Sequence, residues 1–237
     1  MNASELLKRN LENLNDRIRR ACSRAGRARE SIRVVAVTKY VDADTVRGLV
    51  ALGVRDLGEN RLKVAAPKLE ALRDLPIRWH WIGTLQTNKV RKALEFFETI
   101  HSVDRLSLIE ALERGYSEKR PEGTESKLPV YLQVNVSGEA SKAGVSQEEA
   151  PRLVERLRES TQLECLGLMT MAPYSEDPEN ARPAFAGLRE LRDRTAKELG
   201  TELPRLSMGM TDDFEVAIEE GATDLRIGRL LYEGLLD

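Results

Sequence analysis

From residue 33 onward, short apolar runs alternate with segments of helical periodicity. The first run, at 33–38, is rich in β-branched residues, which favours a strand buried on both faces. Eight runs are predicted as strands, at 33–38, 54–58, 78–83, 98–103, 129–136, 163–169, 204–208 and 223–227. Helices are predicted between them at 43–52, 60–73, 86–95, 105–119, 147–160, 180–199 and 212–220. This alternation predicts an α/β fold with a closed (β/α)₈ TIM barrel, and a doubly wound open sheet is the alternative.

The residues before the first strand show a different pattern. Apolar side chains recur there at helical spacing, at Leu7, Leu11, Leu14, Ile18 and Cys22. We predict an amphipathic helix within residues 1–28 that packs on the barrel and ends near Gly26; docking of a partner on its apolar stripe is the alternative. Surface loops are predicted at 121–126 and 174–178, but the pattern continues through both. Residues 1–237 are therefore predicted to be one domain.

Composition narrows the classes of function. The hydrophobic content of 41% suits a globular core, and the net charge of -2, from 37 basic and 39 acidic residues, indicates neither a nucleic-acid partner nor a membrane surface. No apolar run approaches the roughly 18 residues of a membrane span. Cys22 and Cys165 belong to no metal-binding or redox spacing, so we expect no metal site and a reduced, cytoplasmic setting.

Lys39 directly follows the first predicted strand. The carboxyl ends of barrel strands are where such folds place their ligand chemistry. We expect this lysine to lie half out of water, which disfavours the ammonium form and makes the amine available to a carbonyl group, as in a Schiff base. The alternative is an ordinary lysine at a strand end that reaches solvent.

Polar side chains also follow other predicted strands. Asn60, after the second strand, suits either a cap of the next helix or a contact to a ligand. His80, flanked by two tryptophans, is interpreted as a core histidine with satisfied hydrogen bonds. Asp104 is predicted to cap the helix at 105–119, and Asn135 is a candidate for facing the barrel interior.

Two glycine-bearing loops follow the seventh and eighth strands. Ser207 and Gly209 lie in the first, and Arg226 and Gly228 in the second. Barrel enzymes often bind phosphate with these two loops, because glycine lets backbone N–H groups approach the anion. Together with Lys39, the loops predict a site for pyridoxal 5′-phosphate (PLP), in which Arg226 reaches either the ring or the phosphate. A guanidinium at the pyridine nitrogen would keep that nitrogen unprotonated.

Six stretches of the chain, taken together, are similar to one family. They are 35–39 (VAVTK), 58–61 (GENR), 79–89 (WHWIGTLQTNK), 100–104 (IHSVD), 167–171 (GLMTM) and 207–213 (SMGMTDD). With these motifs the chain resembles the pyridoxal phosphate homeostasis proteins, the YggS/PROSC family, from about residue 33 to residue 233. The resemblance implies a single-domain barrel of the alanine racemase type, PLP fold type III, without the second β domain of that enzyme.

The resemblance also implies a function and a set of site residues. PLP would be held as an aldimine on Lys39, the phosphate by Ser207, Gly209 and Gly228, and the ring side by Arg226. The implied function is intracellular PLP homeostasis without established catalysis. PLP and apo PLP-dependent enzymes are the expected partners, and a monomer without nucleic acid or membrane partners is expected.

The chain departs from the family pattern near two of these residues. Tyr40 follows the lysine, and Arg229 stands where a small hydroxyl residue is expected after Gly228. The backbone N–H or the guanidinium of Arg229 is the expected substitute for that hydroxyl. The alternative function is an amino-acid racemase that uses Tyr40 or Tyr174 as a second base. On a continuing strand Tyr40 would point away from Lys39, so it could serve only if the chain bends there.

Overall fold

The computed structural model describes residues 2–119, 125–139 and 142–236. Eight parallel strands close into a barrel in the order β1 to β8. The strands are β1 Arg33–Val37, β2 Asp56–Glu59, β3 Arg78–Trp81, β4 Thr99–Val103, β5 Leu128–Gln133, β6 Leu163–Met169, β7 Arg205–Ser207 and β8 Asp224–Ile227. The predicted (β/α)₈ barrel is confirmed, and the alternative prediction of a doubly wound open sheet is wrong.

The barrel closes where the last strand pairs with the first. Val35 of β1 lies opposite Arg226 of β8, and Ala36 lies opposite Ile227. Because all eight strands run in the same direction, the segments that follow them meet at one rim. The residues after β1 and after β8 are therefore neighbours at that rim, although they lie at opposite ends of the sequence.

The helices surround this barrel. They are α1 Ala3–Arg24, α2 Ala43–Ala51, α3 Leu62–Ala71, α4 Val90–Leu94, α5 Leu106–Lys119, α6 Ala150–Arg158, α7 Arg182–Leu199 and α8 Phe214–Glu219. The segment predicted as one helix at 86–95 is divided into a 3₁₀ turn, Thr87–Lys89, and the short α4. The predicted loop at 121–126 lies mostly outside the described residues. None of the helices described here is long and apolar enough to cross a membrane.

Helix α1 occupies the position of the eighth barrel helix. Among the residues described after β8, the regular structure is a 3₁₀ turn, Arg229–Tyr232, and α1 packs against that turn, α8 and α2. Its apolar stripe is buried in the core, and Arg17 binds Glu215 of α8 at 2.8 Å. The predicted packing of the N-terminal helix on the barrel is confirmed. Its stripe is already covered by the protein itself, so the partner-docking alternative is wrong.

Candidate functional site

The residues predicted for the site follow four strands that are consecutive around the barrel. Ser207 and Gly209 belong to the end of β7, Arg226 and Gly228 to the end of β8, Lys39 follows β1, and Asn60 follows β2. Ser207 contacts Arg226 directly, and a Cβ on Gly228 would lie 3.6 Å from Val37 at the end of β1. The structure therefore brings the predicted residues to one sector of the barrel, at or below the rim.

Lys39 is exposed at this rim. Strand β1 ends at Val37, and the chain turns at residues 39 and 40. The expected half-buried position is wrong, and the alternative of a lysine that reaches solvent describes its place. The role of Tyr40 as a second base requires the chain to bend after Lys39, and it does bend there. However, the Lys39 Nζ lies 4.7 Å from the centroid of the Tyr40 ring. Tyr40 therefore lies beside the amine rather than across from it.

An ion pair between Lys68 and Glu59 holds the backbone around Lys39 in place. Lys68 Nζ donates to the carbonyl oxygens of Thr38 at 2.5 Å and Val41 at 3.0 Å. The same ammonium lies 2.6 Å from the Glu59 carboxylate, which also accepts the Thr38 hydroxyl at 2.7 Å. Removing either charge would leave the other buried without its partner. The backbone on both sides of Lys39 is thus fixed, while its side chain remains free in solvent.

Arg226 is the buried cation of the site. It is 4% exposed, and its guanidinium donates to Ser207 Oγ at 2.7 Å and to the Thr170 carbonyl oxygen at 2.9 Å. Burial lowers the pKa of Arg226 to about 10, while the nearby Asp213 and Asp224 oppose that shift. The side chain therefore remains a cation at neutral pH. Since a guanidinium has five N–H donors, it retains donors for a ligand.

Ser207 lies beneath Arg226 rather than at the open rim. The residue is fully buried, and its hydroxyl lies between the guanidinium and His101 Nδ1, which is 2.8 Å away. Its hydroxyl is therefore placed to support Arg226, and the geometry does not favour the expected contact to phosphate. Thr211, in the same loop, has a partly exposed position beside a cavity and was missed in the sequence. The signal in the sequence that indicates Thr211 is its hydroxyl, two positions after Gly209 in a glycine-bearing loop.

The glycine of the β7 loop has a packing role. Gly209 has φ +91°, and a Cβ there would lie 2.6 Å from the Cβ of Ala217 in α8. Any larger residue would therefore push the loop away from α8. The Gly209 carbonyl oxygen accepts the backbone N–H of Arg226 at 3.0 Å, which ties the β7 loop to β8.

A cavity of about 890 Å³ opens beside these loops. It is lined by residues that follow β6, β7 and β8, among them Tyr174, Thr211, Arg229 and Tyr232. Arg229, which replaces the expected hydroxyl residue, forms an exposed ion pair with Asp212 of the β7 loop. The cavity thus lies on the side of the rim that carries the two glycine-bearing loops.

Three further predictions can be compared with the structure. Helix α3 begins at Leu62 without a side-chain cap, so the capping alternative for Asn60 is wrong; its Oδ1 is buried without a described partner. Asp104 pairs with the Arg105 guanidinium, and no described contact joins it to the backbone of α5, contrary to the predicted cap. Asn135 lies beyond β5 and binds the Glu139 carbonyl oxygen at 2.8 Å, so it does not face the interior as expected.

A line of buried polar side chains runs through the barrel below Arg226. From Ser207 it continues to His101 Nδ1; His101 Nε2 lies 2.9 Å from His80 Nδ1, and His80 Nε2 lies 3.0 Å from Asp56 Oδ1. The prediction that His80 is a satisfied core histidine is confirmed. The connection from His80 to Arg226 is not predictable from the spacing of residues along the chain, because the four residues of the line come from β2, β3, β4 and β7.

Comparison with known proteins identifies the family. The model of the alanine racemase N-terminal domain matches residues 9–235. A pyridoxal phosphate homeostasis protein of Aquifex aeolicus is 45% identical over 232 residues, which is 98% of this chain and 98% of that protein. The chain belongs to the pyridoxal phosphate homeostasis protein family. The resemblance inferred from the motifs is thereby confirmed.

Solved structures agree with membership of the homeostasis protein family. PipY of Synechococcus elongatus, determined with PLP bound, is 33% identical with a TM-score of 0.78, over 91% of this chain and 99% of PipY. An alanine racemase of Clostridium difficile is 14% identical with a TM-score of 0.72, over 96% of this chain and 56% of that enzyme. The second likeness shows a shared fold alone.

In this homeostasis protein, the interior below Arg226 keeps His101 neutral. Burial lowers the pKa of His101 well below the ordinary value of 6.5, and the positive charges of Arg226 and Arg33 add to the effect. Burial raises the pKa of Asp56, but hydrogen bonds from His80 and Arg78 outweigh it and hold the pKa well below its ordinary range. At neutral pH the line therefore ends in a carboxylate.

This shift predicts a pH dependence of stability. Below about pH 6.5 the unfolded chain binds a proton at residue 101 and the folded protein does not, so the free energy of unfolding falls as pH falls. Below that pH, the free energy of unfolding of the wild type should fall by up to about 1.4 kcal/mol more per pH unit than that of His101→Gln. Urea unfolding between pH 7.5 and 5.5 measures the slopes, with Ser102→Ala as a control that keeps the wild-type slope. Equal slopes for the wild type and His101→Gln would contradict a depressed histidine pKa.

Proposed function

We propose that this chain binds PLP as a Schiff base on Lys39 and serves PLP homeostasis without catalytic turnover. The observation that carries the proposal is that an exposed primary amine follows β1, while the neighbouring β8 carries a buried guanidinium and glycine-bearing loops follow β7 and β8. PLP supplies an aldehyde for the amine and a phosphate for the loops. The names of its relatives and the PLP bound to PipY support the proposal.

The phosphate end fits the loops after β7 and β8. The backbone N–H groups of Thr211, Gly228 and Arg229 make no hydrogen bond to a described residue, so they are available to an anion. We propose that these groups, with the Thr211 hydroxyl, hold the phosphate, and that Gly209 positions the loop. We propose that Ser207 supports Arg226 rather than contacting the phosphate directly.

The ring end fits Arg226 and Asn60. Arg226 carries a positive charge and spare donors, and Asn60 carries a buried oxygen without a described partner. A cation beside the pyridine nitrogen disfavours protonation of that nitrogen. We propose that Arg226 faces the ring, because Ser207 and Thr170 hold it within β8, below the level of the phosphate loops.

The proposal of binding without turnover follows from the positions of the two tyrosines. A racemase needs an acid or base on the face opposite its lysine. Tyr40 lies beside the Lys39 amine, and Tyr174 is 80% exposed in the loop after β6. Neither is held across the rim from the lysine. The homeostasis protein is therefore proposed as a carrier of PLP rather than as an enzyme.

We propose that residues 1–237 act as one PLP-binding domain, as a monomer in the cytoplasm, with PLP and apo PLP-dependent enzymes as partners and without nucleic acid. The free thiols of Cys22 and Cys165 suit a reducing compartment.

Replacement of Lys39 tests the covalent attachment. The wild type incubated with PLP should be yellow, and borohydride should fix the cofactor on the protein. Lys39→Ala should lose the absorption band and the adduct, whereas Lys8→Ala, which removes an exposed lysine of α1, should keep both. Absorbance and intact mass measure the two outcomes. A wild-type protein that stays colourless with PLP, or an adduct in Lys39→Ala, would contradict the assignment.

A pair of arginine variants tests the ring and phosphate sides. Arg226→Gln should weaken PLP binding roughly 10- to 100-fold, because it removes a buried charged donor. Arg229→Gln should change binding by only a few fold, since its exposed ion pair is screened by solvent. Equilibrium dialysis of PLP gives both affinities. Wild-type affinity in Arg226→Gln would refute its role.

Isotope exchange tests the absence of turnover. The PLP-loaded protein is incubated with single L-amino acids in deuterated water, and deuterium at Cα and the ratio of enantiomers are measured by mass spectrometry and chiral chromatography. We expect no racemisation above that of free PLP, because no second base faces Lys39 in the proposed site. Deuterium incorporation with racemisation at ordinary enzymatic rates would establish the racemase alternative.

A further inference from the structure

The two ends of the buried line from Arg226 to Asp56 differ in their hydrogen-bonding capacity. Arg226 can only donate hydrogen bonds, and the Asp56 carboxylate can only accept them. Between them stand one hydroxyl and two imidazole rings, each of which can accept at one side and donate at the other. Since every link has a hydrogen-bond distance of 2.7 to 3.0 Å, the two ends determine where each proton lies.

A single assignment with neutral rings satisfies every link. Arg226 donates to Ser207 Oγ, and the Ser207 hydroxyl donates to His101 Nδ1. His101 then donates from Nε2 to His80 Nδ1, and His80 donates from Nε2 to Asp56. Reversing the line requires an additional proton on His80 and leaves the Ser207 hydrogen without a described acceptor. Both rings must therefore carry their proton on Nε2.

We propose that His80 and His101 are positioning residues that set the direction of this line and thereby fix Arg226 for its ligand. Because His101 offers Nδ1 as an acceptor, the Ser207 hydroxyl points toward it and turns a lone pair to Arg226. The Thr170 carbonyl oxygen holds the other arm of the guanidinium at 2.9 Å. The inference rests on the proposed function, in which Arg226 faces PLP.

The surroundings of His101 favour its neutral form. The titratable and charged groups around the rings are Arg33, Asp56, Arg78, Tyr131, Arg205, Asp224 and Arg226. Four of them are cations and two are carboxylates. Tyr131, whose ring stacks on His101 with centroids 4.3 Å apart, stays neutral because burial raises its pKa. The excess of positive charge adds to the burial that keeps His101 neutral.

The position of the protons is directly measurable, because the chain contains only two histidines. Protein labelled with ¹⁵N-histidine gives two ring systems, and long-range ¹H–¹⁵N correlation spectra distinguish the tautomers. In the apoprotein at pH 7.5 we expect both rings to be neutral and protonated on Nε2. A ring protonated on Nδ1, or an imidazolium, would overturn the proposal.

Variants test whether the line acts on Arg226. Ser207→Ala removes the link, while Ser102→Ala removes a buried hydroxyl that binds the Gly83 carbonyl oxygen at 2.5 Å, outside the line. We expect Ser207→Ala to shift the Nδ1 resonance of His101, to move the absorption band of bound PLP, and to weaken PLP binding roughly tenfold. Ser102→Ala should leave all three unchanged.

The outcomes separate this inference from the proposed function. If Ser207→Ala behaves as Ser102→Ala in PLP affinity and absorption, the positioning role is refuted, even where both variants lose stability. If the wild type does not bind PLP, the proposed function fails, while the tautomers of the apoprotein still decide the direction of the line. An absorption shift without a change in the His101 resonance would also refute the proposed route through His101.

Discussion

The pairing of β8 with β1 is the contact on which the candidate site depends. It places Arg226 opposite Val35, so that a buried cation from the end of the chain lies next to the strand that leads to Lys39. Helix α1 packs over this seam from outside, against α2, α8 and the turn after β8. The amphipathic segment that precedes the barrel in sequence therefore completes the ring of helices where the first and last strands meet. In an open sheet these two strands would be apart and the site would not exist.

The barrel interior is unusual in carrying a continuous polar line where such barrels usually pack branched apolar side chains. A buried guanidinium requires both compensating charge and hydrogen bonds. Asp224 supplies negative charge near Arg226, and Ser207 supplies the hydrogen bond. The far end of the line is anchored where Arg78 binds Asp56 with two hydrogen bonds. Each side chain from Ser207 to Asp56 thus has hydrogen-bond partners on both sides, which is the condition under which a buried polar network makes a core rigid.

The sequence predicts the architecture well because the apolar periodicity of barrel strands is local. It also predicts that Lys39 follows β1 and that glycine-bearing loops follow β7 and β8. It cannot predict what lies above or below a polar side chain inside the barrel. Ser207 was interpreted as a phosphate contact for that reason, whereas Arg226 covers it from the neighbouring strand. The exposure of Lys39 is likewise not predictable, because it depends on the turn that follows β1, which Lys68 of α3 holds in place.

The contrast between a fixed backbone and an exposed amine supports the proposal that the protein carries PLP rather than catalysing a reaction with it. Lys68 and Glu59 hold the carbonyl groups on both sides of Lys39, while the Lys39 side chain is exposed. An enzyme that removes a proton from Cα needs its lysine and an opposing base held at fixed positions, away from water. A carrier needs a linkage that forms at a defined place and remains accessible to water or to an incoming amine. Lys68 and Glu59 fix the place of the linkage by holding the backbone around Lys39. The exposure of the Lys39 amine keeps the linkage accessible to water or to an incoming amine.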